Sequence, residues 1–154
     1  MASEAPTEAL FYHLERQSLE VVLPQLLEKT LERGWRAVVQ AGSAERLEAI
    51  DQHLWTYRED SFLAHGTAKD GHPQRQPIYL TLDDDNPNGA VVRFLIDGAE
   101  PQDVTGLTRV VLMFDGRDEV AVEAARRHWK TLKGKGCAVT YWQQSTAGKW
   151  EKKA

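Results

Sequence analysis

The residues in this sequence best equipped for chemistry are cations set among aromatic rings. Between Ala124 and Trp150 there is no Asp or Glu, whereas Arg126, Arg127, Lys130, Lys133, Lys135 and Lys149 are all basic, with Trp129, Tyr141 and Trp142 interleaved. A guanidinium fork beside an aromatic wall can hold a carboxylate and an apolar group at once. Part of the bias has a structural origin, since acids (Asp118, Glu119, Glu123) precede the bases in the order a helix dipole favours. The dipole does not account for basic residues beyond the helix, or for the rings between them. The whole chain holds 19 basic and 23 acidic residues, a net charge of −4, so the cationic surface is local. That balance argues against nucleic-acid binding over a broad face. Weak single-stranded DNA binding through the basic helix and Trp129 stays open as an alternative.

Carboxylates offer a rival site. Asp115 ends an apolar run that reads as a parallel strand, at the edge where doubly wound sheets hold ligands. Asp97 is the comparable residue on another strand. Together they define a different class, a metal-dependent phosphoryl-transfer or nuclease enzyme. The simpler role for Asp115-Gly116 is to make the turn and cap the basic helix. Asp83, Asp84 and Asp85 fall in a turn, where acids are usually solvated. His13, His53, His65, His72, His128 and Cys137 show no metal-ligand spacing, and neither GxxxxGK[ST] nor GxGxxG occurs. These patterns assign no catalytic residue, cofactor or metal.

The elements that must position these groups follow from periodicity. Thr108–Phe114 reads as an apolar strand, Arg117–Lys133 as a helix, Gly134–Gly136 as a turn and Cys137–Gln143 as a strand, a βαβ unit with parallel strands. In the helix, Val120, Ala124, Ala125, His128 and Leu132 form the predicted packing face, with Arg126, Lys130 and Lys133 on a neighbouring stripe. Upstream, Leu10–Leu14 is a strand, and Ser18 is placed to cap a helix carrying Leu19, Val22, Leu23, Leu26, Leu27, Thr30 and Leu31. Pro24 either kinks that helix or marks its start. Gly34 closes it, Trp35–Gln40 is a strand, and Ser43 opens a helix with Leu47, Ile50 and Leu54. Thr67–Gln76 reads as an exposed loop and Pro77–Leu82 as a strand. Asp83–Gly89 is a turn in which Asn88-Gly89 signals a hairpin, and Ala90–Ile96 is the following strand.

Between His53 and Gly66 the helical period fades while Trp55, Tyr57, Phe62 and Leu63 persist. These residues either pack on the core or present an apolar patch to a partner. At 154 residues, 42% apolar and 27% charged, the chain is one globular domain on length and composition. Residues 1–8 read as a loose N-terminus, 9–144 as a single α/β domain and 145–154 as a C-terminal tail. Neither a signal peptide nor a membrane span is expected from the short acidic N-terminus and the hydropathy. Cys137 alone cannot make an internal disulfide.

Taken in order, Phe11-Tyr12, Gly34-Trp35-Arg36, Leu54-Trp55, Ser61-Phe62-Leu63, His65-Gly66, Phe114-Asp115-Gly116, Ala125-Arg126, Trp129-Lys130 and Thr140–Gln144 resemble the chi subunit family of bacterial DNA polymerase III holoenzyme. The resemblance runs over nearly the whole chain. It implies a single-domain three-layer α/β sandwich with a largely parallel, mixed sheet, Rossmann-like in outline but without a nucleotide motif. It implies a non-catalytic, cytoplasmic member of the clamp-loader assembly, with no cofactor and no membrane contact. Its partners would be the acidic C-terminal tail of single-stranded-DNA-binding protein, which ends in Phe and a free carboxylate, and the psi subunit or another clamp-loader component. Carried onto this sequence, the tail would meet Arg126, Trp129 and Lys130, with Tyr141 as a further pocket residue. Psi would meet Trp55 and Phe62, flanked by Leu54 and Leu63. Val122 stands where some relatives have a lysine, and the segment after Thr140 is longer.

Overall fold

A computed structural model describes residues 6–56 and 63–154. Its described strands form one eight-stranded sheet in the order β3-β4-β2-β5-β6-β1-β7-β8. These are β1 (Glu8–Leu14), β2 (Ala37–Ala41), β3 (His65–Gly66), β4 (Ile78–Thr81), β5 (Val92–Ile96), β6 (Arg109–Asp115), β7 (Ala138–Gln144) and β8 (Trp150–Lys152). All neighbours pair in parallel except β7 and β8. Every residue of β2, β4 and β5 is buried, as expected of strands covered on both faces.

The helices are α1 (Leu19–Glu32), α2 (Ala44–Thr56) and α3 (Glu119–Gly134). The chain passes from β1 through α1 to β2 in one direction across the sheet, and from β6 through α3 to β7 in the other. With crossovers of one hand, that reversal places α1 and α2 on one face and α3 on the opposite face. The core divides accordingly. Leu23, Leu27, Ile50 and Leu54 pack with Val39, Phe94 and Met113 on the first face, and Ala125 and Leu132 pack with Phe11, Leu95 and Leu112 on the second. The result is a three-layer α/β sandwich.

Local chemistry explains the element ends. Gly34 takes φ +79° after α1, and the amide of Trp35 donates to the Thr30 carbonyl at 3.2 Å, closing the helix with a left-handed glycine. Ser18 holds the N-cap position of α1, but its side chain makes no capping bond. Pro24 lies inside α1, which is unbroken around it. A proline there cannot donate to the carbonyl of Glu20, and that carbonyl instead lies 2.6 Å from Nε2 of His53 on α2. A side chain from the next helix thus meets the acceptor that the proline leaves free.

Several expectations change. The Asn88-Gly89 segment does not make a hairpin, because β2 lies between β4 and β5. Asn88 is instead buried, donating to the carbonyls of Ala37 and Gln76 at 3.1 and 2.8 Å. The acidic turn folds around buried Arg93, which donates to the carbonyls of Asp83 and Asp85 at 2.6 and 2.8 Å and to Gln40 Oε1. Thr67–Gln76 contains two short 3-10 turns, Ala68–Asp70 and Pro73–Arg75. The expected loose N-terminus is tied by its last residues, Thr7 Oγ1 donating to the Leu107 carbonyl at 2.7 Å and Glu8 pairing with Arg109 at 2.7 Å. The expected C-terminal tail forms β8, whose Trp150 packs edge-on against Tyr12 at 5.0 Å. Among the described residues, no helix is long and apolar enough to cross a membrane.

Candidate functional site

Register decides which rings meet. Phe11 on β1 pairs with Tyr141 on β7, and His13 pairs with Phe114 on β6. Alternation along β1 turns both Phe11 and His13 toward α3. The helix then lays Trp129 over fully buried Phe11, with ring centroids 5.3 Å apart. Trp129 stands 6.2 Å from Tyr141, which is 6.0 Å from Phe114. The outcome is a half-buried cluster of rings along the α3–β7 side of the sheet.

The exposed stripe of α3 forms its rim. Arg126 and Lys130 are exposed, one turn apart, and neither makes an ion pair among the described residues. Burial raises the Tyr141 phenol above its ordinary pKa, Arg126 acting in the opposite direction and Glu15 adding to the rise. The hydroxyl lies 2.6 Å from Nδ1 of His13, whose Nε2 is 3.0 Å from Glu15 Oε1. The predicted packing face of α3 shifts in one respect, since Val120 is 77% exposed and the buried residues are Ala125 and Leu132. Asp118, not Asp115, caps the helix, accepting from the amides of Val120 and Ala121.

Sequence reasoning missed two members of this neighbourhood. His13 looked like one residue of an apolar strand, and only the β1-β7 register brings it to Tyr141. Lys153 is opposite Tyr141, their backbones bonded at 2.7 Å, but the segment read as tail. Lys153 already pairs with Glu151 at 3.2 Å.

The apolar set proposed to meet psi is divided by the fold. Leu54 and Leu63 are 1% and 2% exposed and belong to the core, so they cannot form a surface. Trp55 is 48% exposed, its ring 4.4 Å from His65. Phe62 lies outside the described residues.

The carboxylates of the rival reading line a crevice of about 680 Å³ at the strand carboxyl ends, between the segments that follow β1, β5 and β6. This is where crossovers leave adjacent β1 and β6 for opposite faces, the usual ligand position of such sheets. Asp97 accepts from Ser43 Oγ at 2.6 Å and is 4.0 Å from Arg46. Asp115 accepts from the Arg117 amide at 2.9 Å, which holds its carboxyl below the usual range. Among the described residues, no group of three or more His, Cys, Asp or Glu is arranged to hold a metal.

The fold is that of an α/β sheet protein whose α3–β7 side carries exposed cations beside half-buried aromatic rings. The chain belongs to the DNA polymerase III chi subunit (HolC) family, whose model matches residues 7–140. It is also 30% identical over 99 residues to the probable DNA polymerase III subunit chi of Rickettsia prowazekii (strain Madrid E), covering 64% of this chain and 58% of that relative. The alignment thus spans less than two thirds of the relative's length. The family is that of an accessory subunit of a replicative polymerase.

Proposed function

We propose that this chain is a non-catalytic, cytoplasmic accessory subunit that binds the acidic C-terminal tail of single-stranded-DNA-binding protein at the site between α3 and β7. The observation that carries the reading is the placement of two cations without ion pairs among the described residues, Arg126 and Lys130, beside the Trp129–Tyr141 ring pair. A terminal carboxylate is best met by an arginine fork, upstream aspartates by a lysine acting as a point charge, and a terminal Phe ring by an aromatic wall. A second face centred on exposed Trp55 would dock the psi subunit or another clamp-loader component.

The rival enzyme reading has less behind it, because Asp97 and Asp115 are each engaged by neighbouring donors. Calorimetric titration with a synthetic acidic peptide ending in Phe tests the preferred reading, with a C-terminally amidated peptide as control. Arg126→Ala should cost about 2 kcal/mol of affinity, as for truncating one partner of a hydrogen-bonded charge pair. Lys130→Ala should cost less than about 1 kcal/mol and reduce the salt dependence, as for a rim charge. Equal affinity for free and amidated peptides would overturn this placement of the tail.

A further inference from the structure

The site ends in a hydrogen-bonded chain, Tyr141 to His13 to Glu15, with contacts of 2.6 and 3.0 Å. Its polarity follows from what each group can do. An ionised carboxylate only accepts, so Nε2 of His13 must carry a proton toward Glu15. In a neutral imidazole, Nδ1 then has only a lone pair, and the Tyr141 hydroxyl must donate to it. The phenol consequently turns lone pairs toward the site and repels a carboxylate. When His13 is protonated, Nδ1 also donates, and the hydroxyl accepts that bond. Its own hydrogen is then released to point outward.

The chain is built into the fold. The His13 side chain is 12% exposed, and a Cβ at Gly116 would stand 1.9 Å from Nε2, so the glycine is what admits the ring. Charged groups around His13 come from each adjoining element. Glu15 follows β1, Asp115 ends β6, Arg126 acts on Tyr141 from α3, and Arg16 acts on Glu15, to which the uncharged Gln143 amide also hydrogen-bonds.

Resting on the tail-binding reading, we propose that His13 is a positioning residue that converts Tyr141 from acceptor to donor, so that the tail carboxylate binds together with a proton taken up on His13. The transfer balances simply. Solvent supplies one proton to Nδ1, Nδ1–H donates to the Tyr141 oxygen, and the phenol donates to the incoming carboxylate without being ionised.

The test is titration of the full chain with the acidic peptide ending in Phe at pH 6 and pH 8, in buffers of different ionisation enthalpy. Affinity should be about tenfold tighter at pH 6 than at pH 8, the linkage expected of a ligand that binds together with a proton. Binding near neutral pH should take up a fraction of a proton. His13→Gln and Tyr141→Phe should each bind more weakly than wild type at pH 6 and lose both the pH dependence and the proton uptake, while His128→Gln keeps both. The His13 ring resonances of wild type should titrate at higher pH with peptide bound. Binding that needs the free carboxylate yet is unchanged by pH, or keeps its proton uptake in His13→Gln and Tyr141→Phe, would overturn this inference alone. No binding, or no effect of amidation, would overturn the tail-binding reading and this inference with it.

Discussion

Gly116 is small because His13 needs its space. A methyl group there would sit 1.9 Å from Nε2 and 2.1 Å from Cδ2 of a ring already held by Tyr141 and Glu15. Gly116→Ala should therefore displace His13 and destabilise the fold by about 1–3 kcal/mol, the usual cost of overpacking. His13→Ala in the same chain should recover most of that loss. Urea unfolding of both single variants and the double variant measures the coupling. Simple additivity would mean that the two residues do not compete for the same volume. The sequence marks Gly116 only as a turn residue, because the collision is between the end of β1 and the turn after β6.

At the scale of elements, α1 and α2 are joined by a bond that exists only because α1 contains a proline. Pro24 leaves the Glu20 carbonyl without its helical partner, and His53 supplies one from α2 at 2.6 Å. His53→Ala should cost about 0.5–1.5 kcal/mol, the usual net worth of a hydrogen bond, at this partly buried acceptor. The cost should shrink in a Pro24→Ala background, where the helix can make its own bond. Equilibrium denaturation of the four-member cycle gives the coupling directly, and equal costs in both backgrounds would refute the link. The helices themselves were readable, since Leu23, Leu27, Ile50 and Leu54 recur at core spacing. What periodicity could not separate was Leu54 from Trp55. Successive helical residues point about 100° apart, so one enters the core while the other is 48% exposed. The absent hairpin has a different cause. Turn residues report only local geometry, and the insertion of β2 between β4 and β5 is a long-range choice. The strand β8 was hidden because three residues carry too little alternation to register. The site was half legible, since Arg126, Trp129 and Lys130 share one helix, while His13 and Lys153 arrive from other strands.

Across the whole molecule, two regions bordered by α3 carry different chemistry. The crevice at the strand carboxyl ends holds His128, 15% exposed and 4.0 Å from Glu100. Burial lowers its pKa below the ordinary value, Glu100 opposing that shift and Arg127 reinforcing it. With a folded pKa below the unfolded one, the unfolded chain binds more protons between the two values. Stability from this group is thus full above about pH 6.5 and is lost as pH falls. The urea midpoint should drop between pH 7 and pH 5, and His128→Gln should flatten that slope. The site between α3 and β7 carries the central claim, and the protein's five tryptophans provide a map of it. Trp129 lines the site, Trp55 marks the second proposed docking face, and Trp142 and Trp150 pack with Tyr12 on the other side of the sheet. Trp35 sits between Arg33 and Arg109. The most direct measurement is the indole N–H spectrum of isotopically labelled protein during titration with the acidic peptide ending in Phe. The Trp129 signal should shift in a saturable way while those of Trp35, Trp55, Trp142 and Trp150 stay in place. A Trp129 signal that does not move while the Trp55 signal does would contradict it.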